Sequence, residues 1–322
     1  MPQAAAIEAP GFLFAGQGAQ YVGMGTQIAS AFPEVYEAYG LADNALGEAL
    51  STLIMDGPQE RLTLTENAQP AILALGYAHA RIARRFGVVP RVLLGHSLGE
   101  YAAWVTAGSL RIDDAIQLVR VRGRAMQKAV PVGVGAMTAV ISTPTETIDA
   151  LCVEIGAAMG QVLSASVYNC PGNVVVSGHT EAVEALEARI TADRLGTCRR
   201  LEVSAPFHCS LLSPAADELA RALALVEVLP NVLPVVPNVT AEVVEPGCEP
   251  AQIRRLLVEQ VVQPVRWEGC LRAALSYGIK TAVLMGPGTM TRSHLKRVDR
   301  RFPTVGFDDP NELTAWAGGG AA

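Results

Sequence analysis

Ser97 stands in Gly95-His96-Ser97-Leu98-Gly99, which fits the G-x-S-x-G pattern. Glycines two residues to either side suit a serine on a sharp, strained turn, because side chains there would collide. Such a turn points Oγ away from the sheet. It also sets a helix N-terminus beneath the reacting centre, where N–H groups stabilise negative charge. The chemistry this implies is nucleophilic attack on a carbonyl, and that needs a base.

The chain has five histidines. His96 adjoins the serine and should point elsewhere. His79 falls within a helical pattern, His179 ends a strand and His294 lies on a late helix. His208 lies in the Pro-bounded loop Ala205-Pro206-Phe207-His208-Cys209, before a helix. It is the best placed to reach Ser97; a satisfied loop histidine is the alternative. Gly16-Gln17-Gly18 follows the first strand and is either an ordinary turn or the source of a backbone N–H that joins that of Leu98 in an oxyanion hole. It is not a phosphate loop, since neither G-x-G-x-x-G nor G-x-x-x-x-G-K is present. In Val119–Arg124, Arg120 and Arg124 are four apart and should share a solvent face, while Arg122 points differently. An inward arginine must pair, because burying an unpaired charge is costly. A protein carboxylate or a substrate carboxylate would serve.

The elements that must hold these residues read as α/β. Gly11–Ala15 and Arg91–Leu94 are short apolar strands, and Gln69–Arg85, Leu98–Ala107 and Asp113–Val130 read as helices. Alternation of this kind predicts a parallel sheet covered on both faces. From Pro131 the order becomes strand 136–141, helix 146–159, strands 163–169 and 173–177, helix 180–195 and strand 198–203. That is βαββαβ, the ferredoxin-like arrangement. The expected organisation is a catalytic domain of residues 1–130 and 205–316, an inserted small domain of 131–204 and a disordered tail of 317–322. After the insertion come a helix near 211–226, a Pro-broken extended run 229–239, helices near 251–262 and 267–277, a strand 281–285 and a helix ending near Arg297.

Composition removes several classes. Half of the 322 residues are hydrophobic and 17% charged, which excludes a disordered chain. The formal charge of −6 disfavours general nucleic-acid binding, which runs on clustered Lys and Arg. No unbroken apolar stretch of about 18 residues predicts a membrane span, and the N-terminus does not read as a signal peptide. The six cysteines form no C-x-x-C pair and are expected to be reduced thiols in a cytoplasmic protein.

Phe14–Met24 (FAGQGAQYVGM), Gly95–Ala102 (GHSLGEYA), Arg122-Gly123, Asn169–Val175 (NCPGNVV), His208 and Gln260–Trp267 (QVVQPVRW) resemble the malonyl-CoA:acyl-carrier-protein transacylases and the free-standing acyltransferases of polyketide and fatty-acid synthesis. The resemblance spans roughly residues 11 to 300, with several motifs in order. It implies an α/β-hydrolase-like large domain with a ferredoxin-like insertion. It implies Ser97 as the acylated nucleophile, His208 as its base, and the backbone carbonyl of Gln260 as the group that orients the histidine. It places the oxyanion hole at the N–H groups of Gln17 and Leu98, and gives Arg122 the free carboxylate of the malonyl group.

The sequence departs from the family's usual PGQGSQ, with Ala15 and Ala19 in AGQGAQ. Phe207 and Leu98 resemble malonyl-selective enzymes; a bulky Phe207 would crowd an α-methyl branch. The expected activity is ping-pong transfer of malonyl from malonyl-CoA to the phosphopantetheine thiol of an acidic acyl carrier protein. No bound cofactor or metal is expected. Lys296 and Arg297, and more weakly Arg199 and Arg200, are candidates for docking that carrier. The chain reads as a free-standing monomer acting in trans. The alternatives are an acyl-carrier-protein hydrolase, which has no need of a carboxylate clamp, a transferase of another acyl group between carriers, and a docking module with a dead site.

Overall fold

The computed structural model describes residues 7–131, 133–201, 203 and 205–318. Nine strands occur among them: β1 (Pro10–Phe14), β2 (Val92–Gly95), β3 (Gly135–Ile141), β4 (Leu163–Cys170), β5 (Asn173–His179), β6 (Thr197–Arg200), β7 (Val235–Val236), β8 (Thr281–Met285) and β9 (Thr304–Gly306). They form two separate sheets, as the α/β reading predicts.

The first sheet has the order β7-β2-β1-β8-β9, and every neighbouring pair is parallel. Its central strands are apolar without alternation, PGFLF and VLLG, and every residue of both is buried. This is the pattern of a sheet covered on both faces by helices. The register pairs Phe14 with Gly95. The carboxyl ends of β1 and β2 therefore finish side by side, and the loops that leave them are neighbours. In open α/β sheets that end is where ligands bind.

The second sheet has the order β4-β5-β3-β6 and is antiparallel throughout. Along β3 the side chains alternate with period two. Ala136 and Val140 face a small core built with Ile148, Leu151 and Cys152 of helix Thr145–Met159 and Val183, Leu186 and Ile190 of helix Thr180–Ala192. Met137 and Ala139, with Val167 and Val175, belong instead to the main core. The small sheet thus packs on the rest of the molecule through its other face. Its β4 edge is bonded across by Tyr168 N–H to the Val265 carbonyl and Val265 N–H to the Ser166 carbonyl, each at 2.9 Å.

Several expectations need correction. No elements were expected between residues 25 and 64, where the structure has four helices, Thr26–Ala29, Glu34–Leu46, Leu50–Asp56 and Gln59–Thr63. The next helix begins at Thr65, so that Pro70 lies inside it. Of the extended run 229–239 only Val235–Val236 pairs in the sheet, and the helix near 211 opens with a short 3-10 turn before Ser213–Ala224. The last strand of the small sheet is Thr197–Arg200; residues 202 and 204 of the expected 198–203 strand and domain junction lie outside the described residues. Residues 317 and 318, read as tail, close the helix Pro310–Gly318; 319–322 lie outside the described residues. Among the described residues no helix is long and apolar enough to cross a membrane, and all six cysteines are free.

Candidate active site

The turn after β2 is as tight as the glycine spacing requires. A Cβ on Gly95 would lie 1.9 Å from the Gly99 carbonyl carbon, and one on Gly99 would lie 2.5 Å from the Phe14 carbonyl oxygen. Ser97 itself has φ +49°, a left-handed conformation that costs a non-glycine residue about 1–3 kcal/mol. Asn238 clamps the turn from both sides. Its Oδ1 accepts the Ser97 N–H at 2.7 Å, and its Nδ2 donates to the Gly95 carbonyl at 2.7 Å. Helix Gly99–Thr106 starts at once and points its N-terminus at the serine.

His208 reaches this serine across a chain separation of 111 residues: Ser97 Oγ lies 2.8 Å from His208 Nε2. His208 Nδ1 is 2.7 Å from the backbone carbonyl of Gln260. A carbonyl can only accept, so Nδ1 carries the proton. Nε2 then keeps its lone pair, and the serine hydroxyl donates to it. Burial, helped by the positive charge of Arg122, lowers the His208 pKa to about 3. The imidazole is therefore neutral at neutral pH, the form a base must have. His208 also has a left-handed φ of +59°.

Arg122 enters from helix Ile112–Lys128 and is 1% exposed. The helix can come close because residue 123 is glycine, whose Cβ would lie 2.8 Å from the Thr65 carbonyl oxygen. Arg122 Nη2 donates to Ser97 Oγ at 3.1 Å and to Gln260 Oε1 at 2.9 Å, both neutral groups. Its Nε has no partner among the described residues. Burial lowers the Arg122 pKa from its ordinary value, and the nearby Tyr101 and Glu100 oppose that. Its neighbour Arg120 corrects the expectation of a solvent face. Arg120 is 5% exposed, bonded to Asn67 Oδ1 at 2.5 Å and paired with Glu48 at 3.0 Å. Only Arg124 is exposed there, paired with Glu66 at 2.7 Å.

The loop after β1 lies against the serine turn, since a Cβ on Gly16 would meet the His96 carbonyl oxygen at 2.5 Å. The backbone N–H groups of Gln17 and Leu98 donate to no other described residue. The Gln17 side chain turns away, with Nε2 donating to Thr65 Oγ1 at 3.1 Å. Two free N–H groups beside a nucleophile can receive developing negative charge. Phe207, next to the histidine, is buried.

Three of the other histidines are engaged elsewhere, while His294 is buried with no partner for its Nδ1 among the described residues. His96 Nε2 is 2.9 Å from Asn169 Oδ1, His79 Nδ1 accepts the Gly286 N–H, and His179 Nδ1 accepts the Val162 N–H. Of the four basic residues considered for docking, Arg297, Arg199 and Arg200 are exposed and Lys296 is half-buried. Lys296 donates to the Phe302 carbonyl at 2.6 Å, and Arg200 pairs with Glu187 at 2.7 Å.

Two residues escaped the sequence reading. Asn238 gives no signal of its own, lying in a Pro-broken run. Glu100 does give one: it is the single charge in an otherwise apolar helix, and it is fully buried. Burial raises its pKa, opposed by hydrogen bonds from Asn238 N–H at 2.9 Å, Gln260 Nε2 at 2.7 Å and Trp104 Nε1 at 3.2 Å.

A serine turn, a histidine held by a backbone carbonyl and two free N–H groups on a parallel sheet define an enzyme that handles acyl groups. A family model described as "Acyl transferase domain" matches residues 11–298. The chain belongs to that family and is an acyltransferase. It is 39% identical over 305 residues to the malonyl CoA-acyl carrier protein transacylase of Escherichia coli K12, covering 94% of this chain and 97% of that protein. It is 37% identical over 302 residues to the transacylase of the same name from Bacillus subtilis strain 168, covering 94% of each. The solved malonyl CoA-acyl carrier protein transacylase of Coxiella burnetii superposes with a TM-score of 0.91 at 37% identity, over 97% of this chain and 98% of that one. A malonyl-transacylase solved in complex with a type II polyketide-synthase acyl carrier protein superposes at 0.90 and 37% identity, over 95% of this chain and 98% of that one.

Proposed function

We propose that this acyltransferase moves a malonyl group from malonyl-CoA to the phosphopantetheine thiol of an acyl carrier protein through a malonyl ester of Ser97. The observation that carries the reading is Arg122. It is a buried guanidinium 3.1 Å from the nucleophilic oxygen, and its hydrogen bonds go to a neutral amide and a hydroxyl. A carboxylate brought by the acyl group pairs with the guanidinium directly, whereas a neutral acyl group leaves it with neutral hydrogen-bond partners and only the more distant Glu100 carboxylate.

Ser97 Oγ attacks the thioester carbonyl carbon while its proton passes to His208 Nε2. The oxygen of the tetrahedral intermediate takes the N–H groups of Gln17 and Leu98. Collapse breaks the carbon–sulfur bond, and the imidazolium returns its proton to the departing CoA sulfur. In the second half His208 takes the proton of the carrier's thiol, whose sulfur attacks the ester. On collapse the proton goes back to Ser97 Oγ. The Gln260 carbonyl holds the imidazole in one tautomer through both halves and stabilises it when charged, the part that a carboxylate plays in a Ser-His-Asp triad.

Phe207 narrows the acyl pocket beside His208, and an added α-methyl group is disfavoured by about 1–3 kcal/mol in such a pocket. The carrier is served in trans, and the likeness to the transacylase of the polyketide complex supports a polyketide carrier. The test is intact-protein mass after brief incubation with malonyl-, methylmalonyl- and acetyl-CoA, with Ser97→Ala as control. A malonyl adduct that is absent in the control and passes to a holo carrier protein is the expected result. Free malonate with no adduct and no transfer would identify a hydrolase instead.

A further inference from the structure

Both halves of the site hang from one buried carboxylate that the reaction steps do not use. Glu100 Oε2 accepts the Asn238 N–H at 2.9 Å and the Gln260 Nε2 at 2.7 Å, and Oε1 accepts Trp104 Nε1 at 3.2 Å. Asn238 and Gln260 each turn another end toward the reacting atoms. Asn238 spans the serine turn by its side chain. Gln260 Nε2 also donates to the Ser97 carbonyl at 2.9 Å, its Oε1 accepts Arg122 Nη2 at 2.9 Å, and its backbone carbonyl holds His208.

The orientation of the Gln260 amide is the key point. An amide has one donor end and one acceptor end, and arginine can only donate. If the amide turned over, its NH2 would face the guanidinium of Arg122, and its carbonyl would face the Glu100 carboxylate and the Ser97 carbonyl. Both ends would then be buried and mismatched, which is costly. With Glu100 in place a single orientation satisfies every group, and that orientation supplies Arg122 with its acceptor. No side chain of Gln260 is needed for the His208 bond, which uses the backbone. The side chain therefore serves the guanidinium and the serine turn.

We propose that Glu100 is a positioning residue for acyl selectivity: it fixes the Gln260 side-chain amide, and through it aims the Arg122 guanidinium at the carboxylate of the incoming acyl group. This rests on reading Arg122 as the receptor for that carboxylate. Glu100 touches neither substrate nor nucleophile; its effect on selectivity runs through Gln260, whereas its bond to the Asn238 N–H supports the serine turn and acts on every substrate alike.

The readout is the ratio of acylation rates with malonyl-CoA and acetyl-CoA, followed by intact mass, for wild type and for Arg122→Ala, Glu100→Ala, Glu100→Gln and Gln260→Met. Glu100→Ala is expected to lower the ratio by at least tenfold. Glu100→Gln is expected to restore most of it, because its carbonyl can take the place of Oε2 and accept from Asn238 and Gln260. Gln260→Met keeps the backbone carbonyl and is expected to lower the ratio as Glu100→Ala does. The double variant Glu100→Ala/Gln260→Met should be no worse in ratio than Gln260→Met, because residues acting in series are not additive.

A ratio unchanged in Glu100→Ala, an additive double variant, or a Glu100→Gln as unselective as Glu100→Ala would each overturn the proposal. If Glu100→Ala does not fold, an unchanged ratio in Gln260→Met overturns it. Should Arg122→Ala itself keep the wild-type ratio, the receptor reading falls and this proposal with it. A ratio lost in Arg122→Ala but kept in the Glu100 and Gln260 variants refutes the role of Glu100 alone.

Discussion

Replacing Arg122 with alanine removes a charge that sits 3.1 Å from the nucleophile. In the free enzyme its Nη2 is engaged by Gln260 and Ser97, while Nε has no partner among the described residues. A malonyl carboxylate therefore finds at least one unused donor on a guanidinium already held in place. A hydrogen bond to a charged group is worth about 1.5–3 kcal/mol. At about 1.4 kcal/mol per factor of ten, one such bond corresponds to roughly 10–150-fold in rate. Lost orientation of the bound acyl group adds to this, so the expected fall in kcat/KM with malonyl-CoA is roughly 10–1000-fold. Loss of the Arg122–Ser97 contact acts on every substrate alike. Only the ratio between substrates isolates the carboxylate clamp. Rapid-quench acylation with malonyl-CoA and acetyl-CoA, read by intact mass, gives that ratio. Acetyl transfer should fall far less than malonyl transfer. An equal loss with both would refute the assignment of Arg122 to the carboxylate.

Four further outcomes follow from the geometry. With the His208 pKa lowered to about 3, the base stays neutral well below pH 6.5, so the acid limb of acylation should lie below pH 5; a midpoint near 6.5 would contradict the buried, carbonyl-bonded imidazole. The same shift, shared by His79 and His294, each lowered to about 3 by burial, bears on stability. A folded pKa below the unfolded one means that the unfolded chain binds more protons between pH 3 and 6.5. These groups' contribution is full above 6.5 and is lost as pH falls toward 3, which thermal melts across that range would read. Gly99→Ala, with its new Cβ 2.5 Å from the Phe14 carbonyl oxygen, should cost about 1–3 kcal/mol or more and lower Tm by several degrees, where an ordinary helix position would gain; an unchanged Tm would show that the turn has slack. Arg297→Glu, at an exposed basic position, should slow transfer to the carrier protein and weaken its salt dependence while leaving acylation by malonyl-CoA intact; equal transfer rates would remove Arg297 from the docking face.

The sequence alone determined the features whose cause is local. The strands β1 and β2 are legible as short apolar runs because both of their faces are buried. The serine turn is legible because its steric demands fall on glycines at fixed spacing. The βαββαβ order of residues 135–200 is legible because each of its elements carries its own periodicity. The four helices of residues 26–63 were not legible: one has only four residues and another five, too short for a period to show, and the longer Glu34–Leu46 takes its burial from packing on the helices Thr65–Arg85 and Ile112–Lys128. Tertiary structure alone decided which distant groups meet. Arg120 and Arg124 have the same spacing from Arg122 and nearly the same local sequence, yet Arg120 is buried, because Glu48, in the turn between two of those helices, and Asn67, in the first turn of Thr65–Arg85, arrive to satisfy it. In the same way Glu100, Asn238 and Gln260 are separated by 138 and 22 residues and acquire meaning only as one hydrogen-bonded cluster. A buried polar group is tolerable only where its partners converge, and convergence is a property of the whole fold rather than of any segment.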